Sequence, residues 1–396
     1  MTAAASPRPR ILLLTASVLF TLPSLAALGL ILLPPPSWPA WQYALLALEF
    51  SVLFALLALL GLVLALSARR GGRGRGPLLL AGANALLLVL ALVPPASLWA
   101  TARAEGARLD PLQYTAGLAT TTDREPVTVE YARVGGEPLH LDVWQPSDRD
   151  AGDAPHPVVV NVHGGAEELP QSLLPRWDTW LADSGGSRVV FDVDYRHFPD
   201  GNWSASLADV RCALGWVREH AAAYGGDPDR IALAGQSAGG LLVLLAAHAE
   251  GPDPSCDTTV PEVDAVVAWY SATDGTAGAP PVPWRQRHSP VGDELLESSE
   301  RMVGGTPQEY PREYEAMSPI LHVDSDSPPT LLITAGHDLF VDPEDNRRMA
   351  ARLTEAGVPN HHLSLPWTEH MFDLNWGGLA SQVARHSIEE FLADHL

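Results

Sequence analysis

Four groups of residues in this chain have the types and spacing needed to break an acyl bond. Gly235-Gln236-Ser237-Ala238-Gly239 follows the apolar run RIALAG and precedes AGGLLVLLAAHA, which reads as a helix. A serine at a tight strand-to-helix turn has its hydroxyl lifted clear of the sheet. Gly235 and Gly239 suit that turn because a Cβ there would clash with neighbouring backbone. The N-terminus of the following helix also favours developing negative charge. Asp338 comes just after TLLITAG, within Gly336-His337-Asp338-Leu339-Phe340-Val341. His370 comes just after HHLSLP, within Trp367-Thr368-Glu369-His370-Met371-Phe372. Both are expected in loops past the carboxyl ends of late strands, at the end where Ser237 must lie. His370 would deprotonate Ser237 and later protonate a leaving group, and Asp338 would fix the imidazole tautomer and stabilise the imidazolium. His163-Gly164-Gly165 directly follows PVVVNV. Its glycines leave backbone N–H groups free to face an acyl oxygen. Gly164, Gly165 and Ala238 would form an oxyanion hole, worth roughly 3–4 kcal/mol per donor.

Other residues compete for these roles. Asp342 and Asp345 follow Asp338 closely, but Asp345 belongs on the next helix. His361 and His362 fall within the last strand and read as structural; His337 reads as a supporting neighbour of Asp338. No spacing of His, Cys, Asp and Glu resembles a zinc or calcium site, and there is no glycine-rich phosphate loop. Neither a metal nor a cofactor is expected.

The elements that must position these residues begin at Pro126. VTVEYARV and LHLDVW, separated by Gly135-Gly136, read as a hairpin. Further strands are expected at 157–163, 188–195, 230–235, 263–270, 330–336 and 361–366. Several are continuous apolar runs, as in strands covered on both faces. Helices are expected at about 171–184, 203–224, 238–249, 344–356 and 378–394. This alternation predicts a mostly parallel, doubly wound sheet with flanking helices. Residues 272–317, rich in Pro, Gly and Ser, read as an insertion over one end of the sheet, a lid or substrate wall.

The first 104 residues belong to another solvent. They hold seven of the chain's 25 basic residues and one of its 47 acidic residues. The remainder therefore carries 18 against 46, a net of −28. Every basic residue is arginine. A surface this negative argues against nucleic-acid binding and against acidic polymers as substrates. Three apolar runs, about 11–33, 41–67 and 77–100, are each long enough to cross a hydrocarbon core of ~30 Å. A cleaved signal peptide is the rival for the first, but its apolar core would span only ~7–15 residues. Arg8 and Arg10 flank the first run, and Arg69, Arg70, Arg73 and Arg75 crowd the connection between the second and third. Positive loops stay cytoplasmic, so the region after Glu105 is expected outside the cytoplasm of a multi-pass cell-membrane protein. Glu49, the only charge in the second run, reads as a bystander near the outer interface. The domain plan is thus a three-helix anchor at 1–104, a linker at 105–125 and an enzyme domain at 126–396. Cys212 and Cys256 are either a disulfide in an oxidising compartment or two isolated buried thiols.

With these motifs in order, the chain resembles the α/β-hydrolase superfamily, in the carboxylesterase branch of hormone-sensitive-lipase-like and BD-FAE-like enzymes. The resemblance covers roughly residues 126–395. It rests on HGG at 163–165, DVDYR at 192–196, the run from Ser206 to Gly240, SPI at 318–320, GHDLFV at 336–341 and HMF at 370–372. It implies an α/β-hydrolase fold. It also implies a Ser237–His370–Asp338 triad with Gly164, Gly165 and Ala238 as oxyanion donors, supported by His163, Gly235 and Gly239. Two positions depart from the pattern: Ala166 stands where a third glycine is common, and Gln236 where an acidic residue is frequent. The implied activity is hydrolysis of a small-molecule or lipid carboxylic ester through an acyl-enzyme. Peptidase or amidase action on the same fold is the alternative, and a catalytically silent binding module is a third reading.

Overall fold

In the computed structural model, residues 7–70, 74–116, 122–147, 154–165, 174–199, 201–276 and 283–396 are described. Ala166, part of the 272–317 insertion, the linker residues 117–121 and Arg73 lie outside them.

Four helices come first: α1 (Pro7–Leu32), α2 (Trp38–Glu49), α3 (Ser51–Arg70) and α4 (Gly76–Ala104). Among the described residues α1, α3 and α4 are long and apolar enough to cross a membrane. Their outward positions are aliphatic, as a hydrocarbon solvent requires. Ser17 and Asn84 are buried between them, where Ser17 Oγ donates to the Gly61 carbonyl at 2.7 Å and Asn84 Nδ2 to Thr21 Oγ1 at 2.8 Å. Polar side chains between membrane helices satisfy one another in this way.

The second apolar run differs from expectation. It does not form one helix over 41–67 but breaks at Phe50, between α2 and α3. The physical reason is that α2 has a protein partner. Trp41 and Leu45 pack with Val291 and Leu339, more than 200 residues away. Glu49 is buried, its carboxylate receives the Asn375 amide at 3.3 Å, and its carbonyl receives the Tyr114 hydroxyl at 2.6 Å.

After the short α5 (Pro111–Ala116), the chain builds an eight-stranded sheet. Its strands are β1 (Val127–Val134), β2 (Glu137–Trp144), β3 (His156–Val162), β4 (Val189–Val193), β5 (Gly226–Gln236), β6 (Ala265–Trp269), β7 (Thr330–Ala335) and β8 (Asn360–Leu365). The spatial order is β1-β2-β4-β3-β5-β6-β7-β8. β2 pairs antiparallel with β1 and with β4, and the pairs from β4 through β8 are parallel. The central strands are fully buried, which explains their unbroken Val, Ile and Leu content. The connecting helices are α6 (Pro175–Asp183), α7 (Ser204–His220), α8 (Ala238–His248), α9 (Trp284–Arg287), α10 (Pro290–Val303), α11 (Pro311–Ala316), α12 (Pro343–Ala356) and α13 (Leu379–His395).

Two cores sandwich the sheet. One gathers Val160, Phe191, Leu214, Leu233 and Leu242 under α7 and α8. The other joins Trp177, Val267, Ile333 and Ile388 under α6 and α13, and takes in Leu98 and Ala102 of α4. The last turns of α4 therefore leave the bundle and enter the core of the sheet domain. The chain that follows stays docked, with Glu105 Oε2 2.9 Å from His361 Nε2 and the Asp110 N–H donating to Gln382 Oε1 at 2.6 Å.

Cys212 of α7 and Cys256, beyond α8, form a disulfide with Cα atoms 5.5 Å apart and a sequence separation of 44. Closing a loop of that size restricts the unfolded chain by about 4 kcal/mol in the chain-entropy account.

Candidate active site

The carboxyl ends of β3, β5, β7 and β8 converge, and each delivers one of the expected groups. Ser237 sits between β5 and α8 with φ 53° and ψ −121°, a conformation side chains rarely adopt. The turn is held from beneath, where the Ser237 N–H donates to the Trp269 carbonyl at 3.0 Å. A Cβ on Gly235 would lie 2.7 Å from the Gly239 carbonyl, and one on Gly239 would overlap the Val162 and His163 carbonyl oxygens. The two glycines let the elbow close against itself and against the end of β3.

His370 Nε2 lies 2.9 Å from Ser237 Oγ, and His370 Nδ1 lies 2.9 Å from Asp338 Oδ2. Since an ionised carboxylate only accepts, Nδ1 carries the proton and Nε2 presents its lone pair to the hydroxyl. The other oxygen of Asp338 accepts from the N–H groups of Phe340 (2.7 Å) and Val341 (3.1 Å), which fixes the carboxylate plane. Asp338 and His370 are buried and Ser237 is partly exposed, so the row is reachable at its serine end.

Gly164 and Gly165 follow β3 directly, and an ideal Cβ on Gly164 would stand 3.0 Å from the Ser237 Cβ. Gly165 has φ 128°, open to glycine alone. Ala238 is the first residue of α8, and first-turn N–H groups have no partner within their helix. The end of β3 and the start of α8 thus meet beside one hydroxyl. An acyl carbon attacked by Ser237 Oγ would find an imidazole, 2.9 Å from that oxygen, to take the proton.

His163 supports this turn from below. Its Nδ1 lies 2.9 Å from the Gly164 carbonyl, its ring stacks on Tyr195 at 4.9 Å, and the Tyr195 hydroxyl donates to the His163 carbonyl at 3.0 Å. Burial pushes His163 down to about 4, so it is neutral at pH 7 and Nδ1 carries the hydrogen. The unfolded chain would protonate this imidazole below ~6.5 while the folded chain resists until about 4. Its contribution to stability is therefore whole above pH 6.5 and falls as pH drops toward 4, by roughly 3 kcal/mol in full. A His163→Asn variant is expected to lose that share of the acid slope in urea unfolding curves recorded from pH 7 to 4. An unchanged slope would contradict the assignment.

Asp342 and Asp345 stand apart from the row. Asp342 caps α12 by accepting the Glu344 N–H at 2.9 Å, and Asp345 pairs with Arg348 at 3.2 Å. His361 and His362 lie in β8, and His362 bonds Thr334 at 2.9 Å. His337 faces away from the row: its Nε2 lies 2.9 Å from the Ile31 carbonyl at the end of α1.

Several contributors were not visible in the sequence. Buried Glu369 accepts the N–H groups of Leu339 (2.6 Å) and His370 (3.1 Å), tying the acid loop to the base loop. Its other oxygen lies 3.1 Å from Arg285 Nη1, which also donates to the His337 carbonyl at 3.0 Å. Burial pushes the Glu369 carboxyl up to about 7, against the pull of that guanidinium. Two aromatic rings contact the His370 imidazole, Phe340 at 4.4 Å (stacked) and Tyr270 at 4.5 Å. Tyr270, Trp177 and Trp269 all donate to Asp373, three residues past His370, at 2.8–3.1 Å. Among the described residues one group has metal-ligating potential: atoms of His163, Asp194 and His197 lie within 4.8 Å of one another. The sequence spacing hid it because His163 and the other two follow different strands.

This sheet order, with a serine elbow after β5 and a carboxylate and imidazole after β7 and β8, defines an α/β-hydrolase fold. The profile of the BD-FAE family matches residues 141–353, and the chain belongs to that family. It is 32% identical over 273 residues to a "probable carboxylic ester hydrolase LipM" of Mycobacterium tuberculosis, covering 67% of this chain and 59% of that protein. Over 266 residues it is also 32% identical to "Esterase LipC" of the same organism, covering 65% and 63%. The chain thus spans about three fifths of these relatives' lengths. Among solved structures it is similar to a thermophilic esterase from Thermogutta terrifontis, with TM-score 0.55, 24% identity, and coverage of 68% of this chain and 92% of that one. That likeness concerns the fold.

Proposed function

We propose that this protein is a membrane-anchored serine hydrolase that cleaves carboxylic esters through an acyl-enzyme. The observation that carries the reading is the unbroken row from Ser237 Oγ through His370 to Asp338, with 2.9 Å at each step. The names of the mycobacterial relatives point to the same bond. Ser237 Oγ attacks the ester carbonyl carbon as its proton passes to His370 Nε2. The resulting oxyanion is held by N–H groups of Gly164, Gly165 and Ala238. Collapse breaks the acyl C–O bond, and the departing alkoxide takes the proton from His370. Water then repeats the sequence on the acyl-enzyme, releasing the acid and restoring Ser237.

An amide would need the same row, so the test is a ratio. A p-nitrophenyl ester should be turned over at least ~10³-fold faster than the matched p-nitroanilide, corresponding to a barrier difference of about 4 kcal/mol. Comparable rates would favour a peptidase or amidase.

The domain boundaries we assign are an anchor at 1–104, a linker at 105–125 and a hydrolase domain at 126–396. The sheet domain lies outside the cytoplasm of a cell membrane. Arginines at both predicted cytoplasmic ends support this orientation, and so does a disulfide in the sheet domain. A reporter fused after Leu396 should be active only outside the cytoplasm.

A further inference from the structure

The bundle does more than tether the sheet, because the loops that carry the acid and the base are built onto it. Trp367, three residues before His370, packs among Ala27, Ile31, Leu48 and Phe54. Three residues span at most ~11 Å, so the base lies within that distance of a side chain seated between membrane helices. His337, next to Asp338, bonds the last turns of α1 through Ile31. Phe340 stacks on His370 and is itself covered by Trp41 at 4.8 Å and Trp38 at 5.7 Å. The Ser237 end of the sheet thus faces the ends of α1 and α3, where hydrocarbon gives way to headgroups.

Two further features fit that placement. Beside Trp367 lies a cavity of about 80 Å³, walled by Leu28, Ile31, Phe54, Leu90 and Val93. Apart from Ser24 and Ser51 the walls are apolar, and they suit a hydrocarbon chain such as the surrounding bilayer supplies. The insertion next to α2 also exposes Trp284 and Leu296, while Glu294 receives the Trp38 indole N–H at 2.5 Å and Leu295 packs in the cluster around Trp41. Exposed aromatic and aliphatic side chains near a membrane surface favour the interface.

We propose that the substrate is an acyl ester of an uncharged or zwitterionic membrane lipid, cleaved while the lipid remains in the leaflet facing the sheet. Ester carbonyls of such lipids lie at the boundary between hydrocarbon and headgroups, the level to which Trp367 fixes His370. The net −28 of residues 105–396 repels anionic headgroups. The proposal rests on the reading of Ser237 as an ester nucleophile. Water supplies the oxygen of the released fatty acid, and the ester's alkoxy oxygen leaves with the lipid alcohol.

The full chain would be reconstituted in phosphatidylcholine vesicles containing graded dioleoylglycerol, with fatty-acid release followed beside turnover of soluble p-nitrophenyl butyrate. Release should rise with the mole fraction of diacylglycerol and stay unchanged per enzyme when vesicles are diluted. A Trp284→Asp, Leu296→Asp double variant should lose roughly tenfold on diacylglycerol and keep its rate on the butyrate ester. Turnover of the butyrate ester with diacylglycerol untouched would overturn the lipid substrate and leave the ester reading standing. Release that falls on dilution would overturn delivery within the leaflet. Inertness toward both substrates would remove the ester reading as well.

Discussion

Ser237→Ala is expected to lower kcat on a short p-nitrophenyl ester by on the order of 10⁵–10⁶-fold, with KM little changed and the protein still folded. The size follows from how the row works. Without the hydroxyl there is no acyl-enzyme, and His370 and Asp338 have no proton to move, so losing one member costs nearly as much as losing the set. What remains is a pocket with N–H donors, which can still polarise a carbonyl toward water. Folding should survive because alanine keeps a Cβ, and the strained φ of 53° at this turn is held by the Trp269 carbonyl and the flanking glycines. Loss of the hydroxyl's hydrogen bond leaves His370 Nε2 facing a partly exposed opening where water can replace it. Retention of even a tenth of the activity would mean another nucleophile.

Asp338→Asn is expected to cost about 10⁴-fold in kcat, again with KM nearly unchanged. The carboxylate receives the His370 Nδ1 hydrogen at 2.9 Å and two backbone N–H groups on its other oxygen. An asparagine that keeps its carbonyl on Phe340 and Val341 turns its amide N–H toward His370. The imidazole must then accept at Nδ1 and carry its hydrogen at Nε2, the wrong end for taking a proton from Ser237. The variant's activity should recover as pH rises, because hydroxide substitutes for the missing base. A loss under tenfold would hand the acid role to another carboxylate. Asp342 is an unpromising substitute because it is committed to capping α12.

These residues differ in how far the sequence alone could expose them. Ser237 was legible because its elbow is local: the five residues 235–239 contain both the strained turn and the glycines that permit it. Asp338 and His370 were legible at one remove, since parallel strands send every following loop to the same edge of the sheet. Glu369 and Arg285 were not, because a buried pair 84 residues apart leaves no periodic trace. The same holds for Asp373, whose three donors come from β6, its neighbour Tyr270 and α6. The helix α10 was hidden in a segment that read as Pro-, Gly- and Ser-rich insertion, although Ser289 caps it by accepting the Val291 N–H.

The widest gap concerns α2. An apolar helix facing lipid and one facing an apolar protein surface have the same composition, and only the fold decides between them. Trp41 and Leu45 looked like part of a membrane span and instead sit against the loops of Asp338 and His370. Glu49 is likewise drawn into the sheet domain, where it meets Asn375.

The most direct measurement is the intact mass of the full-length protein after reaction with a fluorophosphonate, followed by peptide mapping. One adduct per chain, on Ser237, with labelling slowed at least a hundredfold in His370→Ala, is what a serine activated by that imidazole predicts. An adduct on any other residue, or full-speed labelling without His370, would show that the aligned side chains are not the reactive machinery.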